Sequence, residues 1–345
     1  MSIVFLGDVA TDMSVNADVC FDNELVIANL EGAIVSQDLL SRRVVYNSVS
    51  VIDFLKKTGV NAVGLANNHI YDVADDLQET KEVLRRSGLS YFGAGKNLDS
   101  ASKPFVHQLG NQTVVVLGAG WPVIGCQPAS RTANGVCPIE PGLLFDMLEL
   151  AIESHDNAKV FFFLHWNYEL ELYPQPAHRQ LAFELVNRGA AAVVGAHSHC
   201  VQGIERVGEG IVVHGLGNWM FPHNRFFNGK LAFPEFATEQ IACEIDWENS
   251  NHKIHWCQFQ DDNRIVKNGE SGLESERIAE LTPYAGMSHR DYVRWFKIHR
   301  RKKKLLPVYA DYRHKLRNRA KDKFVRMRQF GLDKLVEFGL KGAPR

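Results

Sequence analysis

At 345 residues, 45% hydrophobic and 23% charged, the chain has the composition of an ordinary soluble protein, with apolar material for one large α/β domain or two smaller ones. The formal net charge of -1 conceals a division: residues 289–345 hold nineteen Lys and Arg against five Asp and Glu, a net of +14, and the rest of the chain carries -15. No segment approaches the roughly 18 consecutive apolar residues of a membrane span, and six scattered cysteines without a C-x-x-C pair read as free thiols rather than as a disulfide framework or zinc knuckle.

The opening Met1-Ser2-Ile3-Val4-Phe5-Leu6-Gly7-Asp8 has no basic region before its short apolar run. It reads as a first strand, not a signal peptide, and the expected location is the cytoplasm, in solution or peripheral to the membrane. Further β-rich runs at 25–30, 62–66, 113–118, 160–164, 191–195 and 211–214 alternate with helix-length amphipathic segments at 73–88 and 178–189, the second closed by Gly189. That alternation predicts an α/β fold with buried strands. Residues 240–245 and 253–259 read as an antiparallel pair joined by a polar turn. Past about Arg264 the pattern weakens, and from Ser288 the charge changes. The expected organisation is a domain over 1–265, a linker over 266–288 and a basic amphipathic helical tail over 289–345, with Tyr312, Leu316, Ala320, Phe324 and Met327 at helical spacing.

Metal-ligand residue types stand where the strands end: Gly7-Asp8, Asn29-Leu30-Glu31-Gly32, Asn67-Asn68-His69, His165-Trp166-Asn167-Tyr168-Glu169, Gly195-Ala196-His197-Ser198-His199 and Gly215-Leu216-Gly217-Asn218. Singly each is weak, because a lone Asp after a strand is usually a turn residue and a lone His a satisfied buried imidazole. Together they supply the mixed oxygen and nitrogen donors of a divalent-cation site at the carboxyl ends of a sheet. In His197-x-His199, alternate positions of an extended segment would send two imidazoles to one side. The donors suit Mn²⁺, Zn²⁺, Fe²⁺ or Mg²⁺ without naming the ion.

In their order and spacing these motifs, with Gly93-Ala94-Gly95 between them, resemble the CapA family of capsule and poly-γ-glutamate synthesis proteins within the calcineurin-like metallophosphoesterase superfamily, over residues 3–221. The resemblance implies a four-layer αββα sandwich holding one or two divalent metal ions. It implies Asp8 and His199 as ligands of a first metal, Glu31 as the bridging carboxylate, and Asn68, His165 and His197 as ligands of a second. By the same resemblance His69 is the catalytic residue that protonates the leaving oxygen, and Asn67, Glu169 and Asn218 support the ligands or contact substrate. Three departures stand out: Val9-Ala10 replace the superfamily's Asp-x-His opening, Asn167 replaces a glycine, narrowing the pocket, and Ala196 stands where a second histidine is frequent. Asp12 reads as an ordinary surface carboxylate.

The implied activity is metal-dependent hydrolysis of a phosphoester or γ-glutamyl amide in capsule or other surface-polymer biosynthesis. The alternative is a non-catalytic metal-binding accessory protein of capsule or poly-γ-glutamate synthesis or export, gripping an anionic polymer. The basic tail is expected to rest on an anionic membrane surface, to dock membrane-bound synthesis machinery or to fold back on the acidic body. No nucleic-acid motif accompanies its charge.

Overall fold

The computed structural model describes residues 1–337 apart from 23–24, 37–38, 40–43, 74–76, 261 and 302–305. Part of the expected helix at 73–88, and Lys302, Lys303 and Lys304 of the basic run, therefore lie outside the described residues. Two sheets dominate. In the first, the order is Asn16–Ala17, Arg264–Ser271, Lys253–Phe259, Glu239–Asp246, Ser2–Val9, Leu25–Leu30, Ala62–Gly64 and Ser90–Phe92, with Asn218–Met220 also paired to Ser2–Val9. The second runs Ile204–Val207, Gly210–Val213, Ala192–Ala196, Lys159–His165, Gln112–Gly120 and Phe105–Leu109.

The central strands read as unbroken apolar runs because each separates two apolar environments. Ile3 and Phe5, with Leu25 and Ile27, meet Val114, Val116, Phe161 and Phe163 of the other sheet. The alternate residues Val4, Leu6, Val26 and Ala28 face outward into a second core with Val51, Phe54 and Leu55 of the helix Val51–Lys57 and Leu84 of Gln78–Arg86. On the other sheet, Val115, Leu117, Phe162 and Leu164 pack with Leu144 and Leu148 of Pro141–Ser154 and with Leu181 and Leu185 of Pro176–Asn187. Side chains on a strand alternate faces, so two helical layers enclose two sheets, and the four-layer αββα sandwich is the observed architecture.

Local signals explain the helix limits. Pro141 and Pro176 open their helices, where a missing N–H costs nothing. Gly189 follows the second at φ 114° and closes it, a conformation that a Cβ disfavours. The strands Glu239–Asp246 and Lys253–Phe259 pair antiparallel.

The strand Arg264–Ser271 pairs with Lys253–Phe259 across position 265, and in the helix Glu276–Leu281 that follows, Ile278 is buried among the residues between the sheets. Tyr292 and Phe296 of the helix His289–His299 are buried with Tyr284, and Tyr309 and Val325 join the core over the second sheet. Among the described residues no helix is long and apolar enough to cross a membrane.

Candidate metal centre

Parallel pairing brings the carboxyl ends of the central strands to one edge. Asp8 sits in register with Asn29 on one neighbour and with Asn218 on the other, while on the second sheet His165 is level with Ala196. Two glycines permit the closure: a Cβ on Gly7 would fall 1.9 Å from the carbonyl oxygen of Gly217, and one on Gly195 would fall 2.1 Å from that of His214. The segment after Ala192–Ala196 is not extended, as the His-x-His spacing led us to expect. His197 and His199 lie in the left-handed region, at φ 83° and 53°, and this turn is what carries both imidazoles into the centre. Such backbone costs on the order of 1–3 kcal/mol per non-glycine residue.

The Asp8 carboxylate is fully buried. Asn29 Nδ2 donates to its Oδ1 (2.7 Å), the backbone N–H of His197 donates to its Oδ2 (3.1 Å), and His199 Nδ1 lies 3.4 Å from the same oxygen. Glu31 is also fully buried, yet neither of its carboxylate oxygens has a hydrogen-bond partner among the described residues. Its Oε1 stands 3.7 Å from His69 Nε2 and 3.9 Å from His199 Nε2. His165 Nε2 lies 2.7 Å from Asn68 Oδ1, and His199 Nδ1 lies 2.8 Å from Asn218 Oδ1. The His197 ring, 4.7 Å from that of His165, also leaves Nδ1 without a partner.

Two groups of donors result. Single atoms of Glu31, His197 and His199 lie within 4.8 Å of one another, as do those of Asp8, Glu31 and His165. Glu31 belongs to both. This grouping pairs His197 with His199 and His165 with Asp8, a partition different from that implied by the resemblance. Burial, and then the charges of Asp8, Glu169 and Asp72, push the Glu31 carboxyl well above its usual range, and burial raises Asp8. His165 and His197 are held well below the normal imidazole range by burial first and by neighbouring imidazoles after it. Two carboxyls that resist ionisation, facing imidazoles that resist protonation, form a site whose electrostatics a cation completes. Three buried orphan atoms, mixed O and N donors and the shared Glu31 fit a divalent metal.

The remaining expected residues surround this set. Asn67 Oδ1 accepts from the backbone of Gly32 and His69, and its Nδ2 donates to Leu30 O (2.7 Å), so it ties the loops carrying Glu31 and His69. Glu169 is exposed, near enough to raise both Glu31 and His69. Two residues were missed. Asn29 stands inside the quoted Asn-Leu-Glu motif. Asp72 was signalled only by its place three residues after His69, where its Oδ2 lies 2.7 Å from Nδ1 of that ring. Burial depresses His69, but the carboxylates of Asp72, Glu169 and Asp8 outweigh it, and the imidazole ends above its ordinary value.

Two expectations change. The Asn167 side chain is consumed elsewhere: Gln175 N donates to Oδ1 (2.9 Å), His178 Nδ1 lies 2.9 Å from the same atom, and Nδ2 donates to Gln202. Its backbone, at φ 67°, adopts the conformation that glycine would adopt freely. Asp12 is no surface carboxylate. Its side chain is 3% exposed and accepts two hydrogen bonds from Arg225 and one from the Tyr46 hydroxyl.

Comparison with known proteins adds the following. The family described as bacterial capsule synthesis protein PGA_cap matches residues 2–223. A capsule biosynthesis protein CapA of Bacillus anthracis is 28% identical over 170 residues, 48% of this chain and 41% of that protein. A PGA biosynthesis protein CapA of Bacillus subtilis (strain 168) is 28% identical over 178 residues, 49% of this chain and 45% of that one. The matched part thus spans less than half the length of either relative. Among solved structures, a hypothetical protein from Thermus thermophilus aligns over 79% of this chain and 98% of its own, at 14% identity and a TM-score of 0.42. A 5'-nucleotidase precursor from the same organism aligns over 79% and 53%, at 13% identity and 0.38.

Proposed function

The chain belongs to the PGA_cap family of bacterial capsule synthesis proteins, and from that premise we propose that it is a metal-dependent hydrolase of a phosphoester or γ-glutamyl amide in surface-polymer biosynthesis. The observation that carries this reading is Glu31, a buried carboxylate with both oxygens unpartnered, common to two donor groups and 3.7 Å from a histidine held by Asp72.

Asp8, Glu31, His165, His197 and His199 would hold the metal, with Asn68 turned toward His165. A divalent cation held there would supply Lewis acidity, polarising a water and offsetting charge on the scissile group. The protein's own residues do the rest. The Asn29 amide and the His197 N–H fix Asp8, and Asn218 orients His199. Asp72 holds His69 by Nδ1, which leaves Nε2 on the side of Glu31, 3.7 Å from its Oε1. Burial lowers its pKa, but the carboxylates of Asp72, Glu169 and Asp8 outweigh burial and favour the protonated ring, which would donate from Nε2 to the departing oxygen or nitrogen. His69 is thus the general acid, and Asp72 positions it.

One observation favours the alternative of a non-catalytic accessory protein: Ala10, which leaves the first strand without an imidazole beside Asp8. Metal analysis of purified wild-type protein, His197→Ala and Asp8→Asn separates the two, with each sample assayed on a generic phosphodiester and on a γ-glutamyl peptide. The hydrolase reading expects near-stoichiometric metal in the wild type, and turnover reduced on the order of a hundredfold or more in both variants. Bound metal without turnover on either substrate supports the accessory role. Absence of metal after reconstitution with Mn²⁺ or Zn²⁺ overturns both.

A further inference from the structure

The C-terminal helix Lys315–Glu337 is attached to the body by one side only. Val325 is buried in the core over the second sheet, Tyr309 donates its hydroxyl to Asp322 Oδ1 (2.8 Å), and Lys321 Nζ and Asn318 Nδ2 donate to the carbonyls of Val308 and Asp311. At about 100° per residue these positions fall within one arc of the helix. The opposite arc carries Leu316, Phe324, Met327, Phe330 and Leu335, exposed by 81%, 49%, 65%, 65% and 41%. Exposed Arg319 and Arg326 lie along one edge of that stripe and exposed Arg317 along the other, with Lys323 and Lys334 within it.

We infer that this outward face is a docking surface for an anionic lipid bilayer. Large apolar side chains in line, flanked on both edges by long cationic ones, are what an interfacial helix requires. The stripe enters the acyl boundary, while the Arg and Lys stems extend back to the phosphates. The helix as a whole carries eight Lys and Arg against Asp322, Asp333 and Glu337. A second copy of the chain is the wrong occupant, since apposing two such faces would bring cationic rims together. Nucleic acid would use the charge but leave the five apolar side chains in water. Two of the three alternatives open for the tail are thus compatible: its inner side folds back on the body and its outer side would meet the membrane.

The inference is independent of the proposed hydrolysis, so failure of one leaves the other standing. Its test is co-sedimentation of the full chain with vesicles of phosphatidylcholine alone or mixed with phosphatidylglycerol. Two variants accompany it, Phe324→Asp/Met327→Asp/Phe330→Asp and Arg319→Gln/Lys323→Gln/Arg326→Gln, both altering exposed residues. The expected result is salt-sensitive pelleting with the anionic vesicles only, reduced on the order of tenfold or more in each variant, with the wild-type melting temperature retained. Equal pelleting of wild type and both variants overturns the inference. So does self-association, or a shift of a single-stranded oligonucleotide, that depends on the same three apolar residues without vesicle binding.

Discussion

Glu31 shows how a single residue couples the fold to its ligand. Its carboxyl is pushed well above the usual range by burial first and by Asp8, Glu169 and Asp72 after it. An unfolded chain ionises Glu31 near the ordinary carboxylate pKa, while the metal-free fold resists that ionisation. The metal-free protein is therefore stable with respect to this group below the unfolded pKa and loses that stability as pH rises toward the folded one. Thermal melts in chelator should show Glu31→Gln gaining on wild type as pH rises above the ordinary carboxylate range, with the order reversed when metal is present. Equal pH dependence of the two proteins would remove Glu31 from the electrostatics of the centre. At this scale much was legible, since ligand residue types at strand ends declare themselves. Asp72 did not, because an aspartate three residues past a histidine in a loop has no periodic pattern to mark it. Nor did the φ of His197 and His199, because imidazoles at alternate positions read as strand.

Among the elements, the helix Pro176–Asn187 is fixed by more than its apolar face. Arg179, 2% exposed, donates from Nε and a terminal nitrogen to Glu205 of the strand Ile204–Val207 at 2.7 Å each, and also reaches Met287 O. His214 Nε2 lies 3.0 Å from the same Glu205. Removing one partner leaves a buried charge uncompensated, so Arg179→Ala should cost about 3–5 kcal/mol in denaturant unfolding. Arg179→Met combined with Glu205→Leu should recover most of that loss, and a double variant no better than the single would refute this assignment. The central strands of the two sheets were readable because both their faces are buried, which turns alternation into continuous apolar runs, whereas the edge strand Phe105–Leu109 and the strand Arg264–Ser271, with exposed residues along them, were not readable. The short strand Asn16–Ala17 and the helix Glu276–Leu281 were not. Two residues carry no period, and a helix anchored by Ile278 shows one apolar point rather than a stripe.

For the whole molecule, the division between an acidic body and a basic tail is a division of charge more than of packing. Tyr292, Phe296, Tyr309 and Val325, all past residue 288, are buried with residues of the body. Deleting residues 289–345 should therefore lower the melting temperature and expose apolar surface to a hydrophobic dye. A truncated chain melting like the full one would make the tail a separate unit. The alternation of strands and helices pointed to an α/β fold with buried strands, and the four layers were implied by the resemblance alone. The placement of the tail was not legible, because charge composition reports what a surface attracts and says little about which side of a helix is already occupied.

The left-handed turn through His197 and His199 bears on how such a site can decay over evolutionary time. Each histidine keeps its imidazole at the expense of a backbone that glycine would accept freely. A descendant released from its chemistry would gain stability by substituting glycine at 197 or 199 and lose nothing it still used. Genetic drift would then erase the centre from this turn first, while the sandwich around it persisted.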